Sequence, residues 1–264
     1  MTRSRPGRSR PEASKWELEL FDSWRLRRGR TTVHLHHREQ RLVALLALQG
    51  DRPRGYLAGV LWPESSEQRA TGNLRSAVWQ TDREAPGLLA HDRSHLRFRA
   101  PLRLDIATFT DGVHRVFGWR QGLEPVDRAA CLRTLPVLMR GDLLPGWYDD
   151  WVIYERARLA QLRLQALHLL ADLLIDLGEV TEARMAASTA VSIEPLHEPA
   201  IRALIRAEIE DGDYRGALRD YDTYRRRVRA ELGVRPSSRL DDLVRPLRGK
   251  RSRAQLAGDT PVVA

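Results

Sequence analysis

From Trp16 the apolar residues fall at alternate positions: Trp16, Leu18 and Leu20, then Trp24 and Leu26, then Val33 and Leu35. Period two marks strands with one buried face, and Arg28-Gly29-Arg30 supplies a turn between them. The chain is therefore expected to open on a small antiparallel sheet. The period then changes. Leu42, Val43, Leu45, Leu46 and Leu48 keep helical spacing from Arg38 to Leu48, and Gly50-Asp51 closes that run. Arg54 to Leu61 predicts a second short helix, stopped before Trp62-Pro63 because the residue before a proline avoids the helical region. Glu67 to Glu84 predicts a third helix of about five turns. It is preceded by Ser65-Ser66, with Ser65 and Gln68 at the spacing of a capping box, and ended by Pro86-Gly87. Leu88-Leu89-Ala90 and Leu96-Arg97-Phe98-Arg99 then flank Asp92-Arg93-Ser94-His95, a β-hairpin with a polar tip. Alternation points Leu96 and Phe98 inward and His95, Arg97 and Arg99 outward.

Past Leu104 the strand pattern stops and the chain is helical to about Leu247. Ile106 to Phe117 and Val126 to Met139 form two amphipathic helices, and the loop Leu143-Leu144-Pro145-Gly146-Trp147 follows. A long run rich in Leu and Ala extends from Trp151 to Leu177 and ends at Gly178. Here the chain repeats itself at an offset of 34: Gly178-Glu179-Val180 with Ala183 aligns with Gly212-Asp213-Tyr214 with Ala217, Leu167 with Ile201, and Ala171 with Ile205. That period belongs to tetratricopeptide helix pairs, in which Gly permits the tight turn and Ala lets two helices approach. Two aligned segments are fewer than a stable stack needs, so the helices between 106 and 160 are expected to complete it. A helical bundle with coincidental spacing is the alternative.

The third helix carries the chemistry. Ala70, Leu74, Ala77, Val78 and Thr81 share one narrow stripe suited to a core. The opposite face holds Gln68, Gly72, Arg75, Trp79 and Arg83, with Arg69 and Ser76 at its edges and no carboxylate among them. This is the chemistry of a helix laid in a DNA major groove. Arg takes guanine O6 and N7 bidentately, Gln pairs with adenine, and Gly allows close approach to the sugar-phosphate wall. Trp79 could stack on sugar or a thymine methyl, or pack beneath the hairpin. The competing account is an ordinary solvated helix whose arginines serve solubility.

Charge placement favours the first account. Residues 1–100 contain 19 Lys or Arg and 11 Asp or Glu, a balance of +8, whereas residues 101–264 contain 25 and 24, a balance of +1. A polyanion is drawn to the N-terminal part. Only Lys15 and Lys250 are lysines among the 44 basic residues, a bias that a GC-rich genome produces by itself, but the asymmetry survives that discount. The single cysteine, Cys131, excludes an internal disulfide, fits a reducing compartment, and lies among Leu132 and Leu135 as a buried structural thiol. No signal peptide or membrane span is recognisable, which places the protein in the cytoplasm, at the nucleoid, with no membrane partner. His34, His36 and His37 lack accompanying Cys or carboxylates at ligand spacing, so a solvated strand edge is favoured over a metal site. Asp149-Asp150 and Asp241-Asp242 suit solvated loop or cap positions, and Arg225-Arg226-Arg227 a solvated helix face. No residue is nominated for catalysis, and no cofactor is called for.

Sheet, three helices and basic hairpin in that order make a winged helix-turn-helix, with the hairpin as its wing; Arg93, Arg97 and Arg99 would then meet phosphate or the minor groove. The expected class is an α+β winged helix-turn-helix followed by an all-α tetratricopeptide-like domain, mainly α overall. Its expected divisions are a disordered basic leader (1–14), the winged domain (15–104), the helical domain (105–250) and a flexible tail (251–264).

Across roughly residues 15 to 247 the chain resembles the actinobacterial antibiotic regulatory proteins, which join an OmpR-like winged helix to a bacterial transcriptional activator domain. The resemblance rests on Leu61-Trp62-Pro63, on Asn73-Leu74-Arg75-Ser76-Ala77-Val78-Trp79, on Leu144-Pro145-Gly146-Trp147 with Trp151 and Glu155-Arg156-Ala157-Arg158-Leu159, and on Glu231-Leu232-Gly233-Val234-Arg235-Pro236-Ser237. It implies a transcription activator that binds tandem direct repeats in double-stranded DNA upstream of promoters and contacts RNA polymerase. It also implies a homodimer on DNA and control of a secondary-metabolite gene cluster. By position it implies Arg75, Ser76 and Trp79 at the bases, with Arg69 and Arg83 nearer the backbone. Thr81 departs from the larger aliphatic usual in the family, and Asp82 from the usual basic residue. No GxxxxGK[ST] loop is present, so nucleotide hydrolysis is not expected. Two other functions compete: a tetratricopeptide adaptor whose winged domain binds no DNA, and a small-molecule effector site in the helical groove.

Overall fold

Trp16, Leu18 and Leu20 bury their side chains on one face, as the alternation requires. The computed structural model describes residues 16–99 and 102–258. The leader expected at 1–14 and the last six residues of the tail expected at 251–264 lie outside the described residues. The chain forms two compact units, one of residues up to Thr108 together with Gly141–Glu155, the other of Phe109–Arg140 with the residues from Arg156 onward.

In the first unit the elements run β1 (Trp16–Glu19), β2 (Arg25–Arg28), β3 (Thr31–Val33), α1 (His37–Gln49), β4 (Arg52–Pro53), α2 (Arg54–Leu61), α3 (Glu67–Glu84), β5 (Leu89–His91), β6 (His95–Phe98) and β7 (Leu102–Leu104). Leu18 faces Leu26 across β1 and β2, Leu26 faces Val33 across β2 and β3, and Gly29 takes the left-handed φ of 61° that the tight turn demands. The sheet is not antiparallel throughout. Its order is β3-β2-β1-β7, and β7 lies parallel to β1 with Trp16 opposite Leu102. A three-residue strand is too short for its alternation to register in sequence. The second sheet, β4-β6-β5, holds the predicted hairpin, and the two-residue β4 was likewise not predicted. β3 ends at Val33, so the histidines do not line a strand edge: His34 and His36 are exposed in the connection, and His37 opens α1. The core of the unit is built of apolar side chains, among them Leu18, Leu26, Leu42, Leu45, Leu57, Leu61, Leu74, Leu88 and Leu96.

A strap from far downstream completes this unit. Gly141–Glu155 returns to the residues just past the end of β1, where Phe21 and Leu143 form an isolated antiparallel bridge. The Leu144 amide donates to the Leu20 carbonyl at 2.8 Å, the Asp22 amide to the Asp142 carbonyl at 3.0 Å, and the Gly141 amide to Asp22 Oδ1 at 2.9 Å. Asp105 Oδ2 accepts from the amides of both Leu20 and Phe21 at 2.9 Å. Leu143 and Leu144 are buried. Trp147 meets the His37 ring edge-on at a centroid distance of 4.7 Å. Asp149 takes the expected cap position, its carbonyl accepting from the Val152 and Ile153 amides at the start of α6 (Asp150–Asp176). Its side chain is not solvated, because it accepts from Arg41 Nη2, which also donates to the Leu61 carbonyl at 2.8 Å.

The helices α4 (Asp105–Arg120), α5 (Arg128–Leu138), α6 (Asp150–Asp176), α7 (Val180–Ile193), α8 (Glu198–Glu210), α9 (Tyr214–Leu232) and α10 (Ser238–Gly258) make up the rest. α10 continues into the stretch expected as a tail. The 34-residue offset is a repeat of backbone geometry. Gly178 and Gly212 have φ of 80° and 79°; the Glu179 amide donates to Leu174 and, 34 residues later, the Asp213 amide to Glu208, both at 2.8 Å. Ala183 and Ala217 are both buried. α5 packs on α7, and α10 closes the other end, with Leu240, Val244 and Leu247 against Tyr221, Tyr224 and Val228. α4 and α5 approach closely at Gly112, where a Cβ would stand 3.3 Å from Thr134 Cγ2. Cys131 is buried, which pushes its thiol up from the ordinary range, with Asp127 adding to the effect. Asp241 and Asp242 do not simply face solvent, since they engage Tyr221 and Arg245. Among the described residues no helix is long and apolar enough to cross a membrane.

Glu208 is buried beside Asp213 and Asp220. Burial first, then the charges of Asp220 and Asp213, push its carboxyl up to about 8, which favours its neutral form. With the folded value raised above 4.5, the stabilisation is complete below that pH and is lost as pH rises to about 8. The slope is at most about 1.4 kcal/mol per pH unit. Glu208→Gln, a neutral isostere, is expected to flatten this dependence. Thermal midpoints of both proteins measured between pH 5 and 8 check it, and parallel curves refute it.

Candidate nucleic-acid interface

α3 buries Ala70, Leu74, Ala77, Val78 and Thr81, the five residues of the predicted stripe. Thr81 satisfies its hydroxyl by donating to the Ala77 carbonyl at 2.8 Å, which lets a polar residue occupy a core position. The helix begins one residue later than a cap at Ser65 requires: Ser66 is the N-cap and makes no side-chain cap hydrogen bond, so the capping box does not form. Ser65 instead closes a backbone turn, its amide donating to the Trp62 carbonyl at 3.1 Å.

On the other side, Gln68, Arg69, Arg75, Ser76, Trp79 and Arg83 are exposed and Gly72 is half-buried. A Cβ at Gly72 would meet nothing within 4 Å, so this glycine leaves the helix surface open but is not required by the chain's own packing. Ser76 turns its hydroxyl to the Gly72 carbonyl at 3.2 Å. Trp79 is 63% exposed, which excludes packing beneath the hairpin. The Arg83 guanidinium lies over its ring at 5.7 Å, a cation–π arrangement, and stands 3.9 Å from Glu84. The face is thus free of carboxylates at its centre but not at its C-terminal end. Glu84 approaches Arg83 and accepts from Gln80 at 2.9 Å, and half-buried Asp82 sits at the edge about one turn beyond Trp79 and two beyond Arg75.

Arg38, Arg75, Ser76, Trp79 and Gln80 line an open depression of about 380 Å³. Arg38 comes from the first turn of α1 and was not foreseen as a site residue. Nothing local in the sequence signals that the start of α1 stands beside the middle of α3. Its Nε donates to buried Glu39 at 3.0 Å, and its Nη groups make no hydrogen bond among the described residues.

The wing is held at its tip by Asp92, which accepts from the Ser94 amide at 2.8 Å, the His95 amide at 2.7 Å and the Ser94 hydroxyl at 2.9 Å. These bonds, the backbone ones first, lower its carboxyl to about 2. The Arg54 amide donates to the Ser94 carbonyl at 2.8 Å, tying the hairpin to the start of α2. Arg93 and Arg97 are exposed, with Arg97 only loosely approached by Asp51 at 3.9 Å. Arg99 is exposed too, but its Nε donates to the Leu89 carbonyl at 3.3 Å, which ties it to its own hairpin. Seven of the ten nominated residues therefore share one helix and three the wing. Arg75 and Trp79 come together at the depression. Among the described residues no group of three or more His, Cys, Asp or Glu could hold a metal ion.

Residues 104–248 match the family described as Bacterial transcriptional activator domain. The chain is 28% identical to Regulatory protein AfsR of Streptomyces coelicolor over 244 residues, 90% of this chain and 25% of that protein. Its fold is similar to that of Mycobacterium tuberculosis EmbR, solved in complex with a low affinity phosphopeptide. The TM-score is 0.65 at 20% identity, over 89% of this chain and 65% of that one. The chain thus spans a quarter of the length of the first relative and about two thirds of the second.

Because Ser66 caps α3 through its backbone alone, Ser66→Ala is expected to cost less than about 0.5 kcal/mol, against about 1 kcal/mol for a side-chain cap. Leu74→Ala, from the buried stripe, is expected to cost about 2 to 5 kcal/mol. Urea denaturation of both variants checks the pair.

Proposed function

The chain belongs to the bacterial transcriptional activator domain family, and from that premise we propose that it is a sequence-specific DNA-binding transcription activator. Its first unit binds tandem direct repeats upstream of promoters, and it recruits RNA polymerase as a homodimer on DNA, controlling a secondary-metabolite gene cluster. It is not an enzyme. The observation that carries this proposal is the outward face of α3, where Arg75, Trp79 and Gln68 project from a helix whose other side is wholly engaged in the core. Arg75 supplies a planar fork of donors that fits guanine O6 and N7. Gln68, in the first turn of the helix, offers the amide pair that fits adenine. Trp79 presents an apolar ring, stiffened by Arg83 above it, to a thymine methyl or a sugar. Ser76, with its hydroxyl turned to the backbone, contributes contact more than donor specificity. Arg69 and Arg83 flank the reading face, and Arg93 and Arg97 on the wing add phosphate contacts that carry affinity without sequence information. Arg99 serves the wing's shape as well as its charge.

Retention of fluorescent DNA across a salt series tests this, with the promoter regions neighbouring its own gene against a scrambled control. Arg75→Ala is expected to relax base preference and cost about 1 to 3 kcal/mol, whereas Arg97→Ala weakens all sequences alike and lowers the salt slope by about one unit. Equal retention of all sequences by wild type, unaltered in Arg75→Ala, would sink the assignment.

A further inference from the structure

α1 is pinned by the strap on both sides of Arg38. At its first residue the His37 ring meets the edge of Trp147, and one turn later Arg41 reaches Asp149 and the Leu61 carbonyl. His37 and Arg41 are four apart and share one helix face, so holding both fixes the angle at which α1 presents the residues between them. Arg38 is the next residue round from His37. The N-cap of α1, His36, makes no side-chain cap hydrogen bond, so the first turn is held by these strap contacts together with Gln40 Nε2, which donates to the Leu35 carbonyl at 2.8 Å. Arg38 lines the depression with Arg75 and Trp79, and no carboxylate is among the residues that line it. Arg38 spends its Nε on Glu39, which leaves its Nη groups and the Arg75 guanidinium facing one open space. Their natural complement is an anion, and a DNA phosphate beside the groove occupied by α3 supplies one.

We infer that Arg38 is a further contact to the DNA backbone, and that Gly141–Glu155 positions it through Trp147 and Asp149. This rests on the DNA-binding function proposed above. Arg38 contacts the ligand, while Trp147, His37, Arg41 and Asp149 act through it as positioning residues. The strap lies within residues 104–248, the part of the chain matched to the activator-domain family, yet it belongs spatially to the first unit. A segment of the activator region thereby becomes a working part of the DNA-contacting surface.

The test is the same salt series with Arg38→Ala, His37→Ala, Trp147→Phe, Arg75→Ala and the double variant Arg38→Ala/His37→Ala. His37 is exposed and Trp147→Phe keeps an aromatic edge, so both variants retain the fold, which a cooperative thermal transition verifies. Arg38→Ala is expected to weaken every sequence about five- to tenfold and lower the salt slope by about one unit, with base preference unchanged. His37→Ala should reproduce part of that loss, Trp147→Phe should retain wild-type retention, and the double variant should be no weaker than Arg38→Ala, because the positioning residue acts through Arg38. An unchanged salt slope in Arg38→Ala, while Arg75→Ala loses base preference, overturns the inference and leaves the function standing. Additive losses in the double variant overturn the positioning role. Absence of salt-dependent retention by wild type overturns the function and this inference together.

Discussion

The guanidinium of Arg41 holds three segments of the first unit at one point: α1, the last residue of α2 at Leu61, and Asp149 of the strap. Its side chain and that of Asp149 are both largely buried, and the Arg41 Nε has no acceptor among the described residues. A charge withdrawn from water in this way is tolerable only while its partners remain in place. Removing Asp149 would strand the cation between α1 and α2, and removing Arg41 would leave the Leu61 carbonyl and the Asp149 carboxylate without their donor. The placement of α1 against α2, and through α2 of α3, therefore depends on a residue more than a hundred positions away. α3 is held by its apolar stripe, and its neighbours carry this polar knot in addition to their own buried leucines.

Local signals in the sequence determine what is local in the fold. The bounds of α2 and α3 follow from Pro63 and from Pro86-Gly87, and the buried stripe of α3 follows from spacing alone. The hairpin follows from alternation on either side of a polar tip. What the pattern does not contain is pairing at a distance. β7 is three residues long and runs parallel to β1, β4 is two residues long, and the strap looks like a loop until Phe21 is seen opposite Leu143. For the same reason Asp149 passes for solvated, and Arg38 for an ordinary surface cation. Spacing is also necessary without being sufficient. Ser65 and Gln68 are correctly separated for a capping box, yet the helix starts one residue too late to use it.

Charge behaves differently in the two units. Two cations of the Arg225-Arg226-Arg227 run are paired where they stand, Arg225 with Asp222 at 3.3 Å and Arg227 with Glu231 at 3.6 Å, while Arg226 donates to the neutral Thr223 hydroxyl. Arg206, on α8, bridges to Asp172 and Asp176 on α6. Cations here serve helix-to-helix contacts, consistent with the even balance of the downstream sequence. On α3 and the wing, by contrast, Arg75 and Arg93 have no ion pair or hydrogen bond among the described residues, and Arg97 only a loose one. Net charge acquires meaning from which cations remain unspent by the fold.

The discontinuity of the first unit also has a consequence in time. A chain leaves the ribosome from its N-terminus at about 5 to 20 residues per second. Arg41 emerges 108 residues ahead of Asp149, so for roughly 5 to 20 seconds the nascent winged unit exists without its strap. During that interval the backbone at Phe21 lacks its bridge to Leu143 and the Arg41 cation lacks its carboxylate. A nascent chain therefore passes through a stage in which its first unit is synthesised but incomplete, and only the arrival of Gly141–Glu155 completes it.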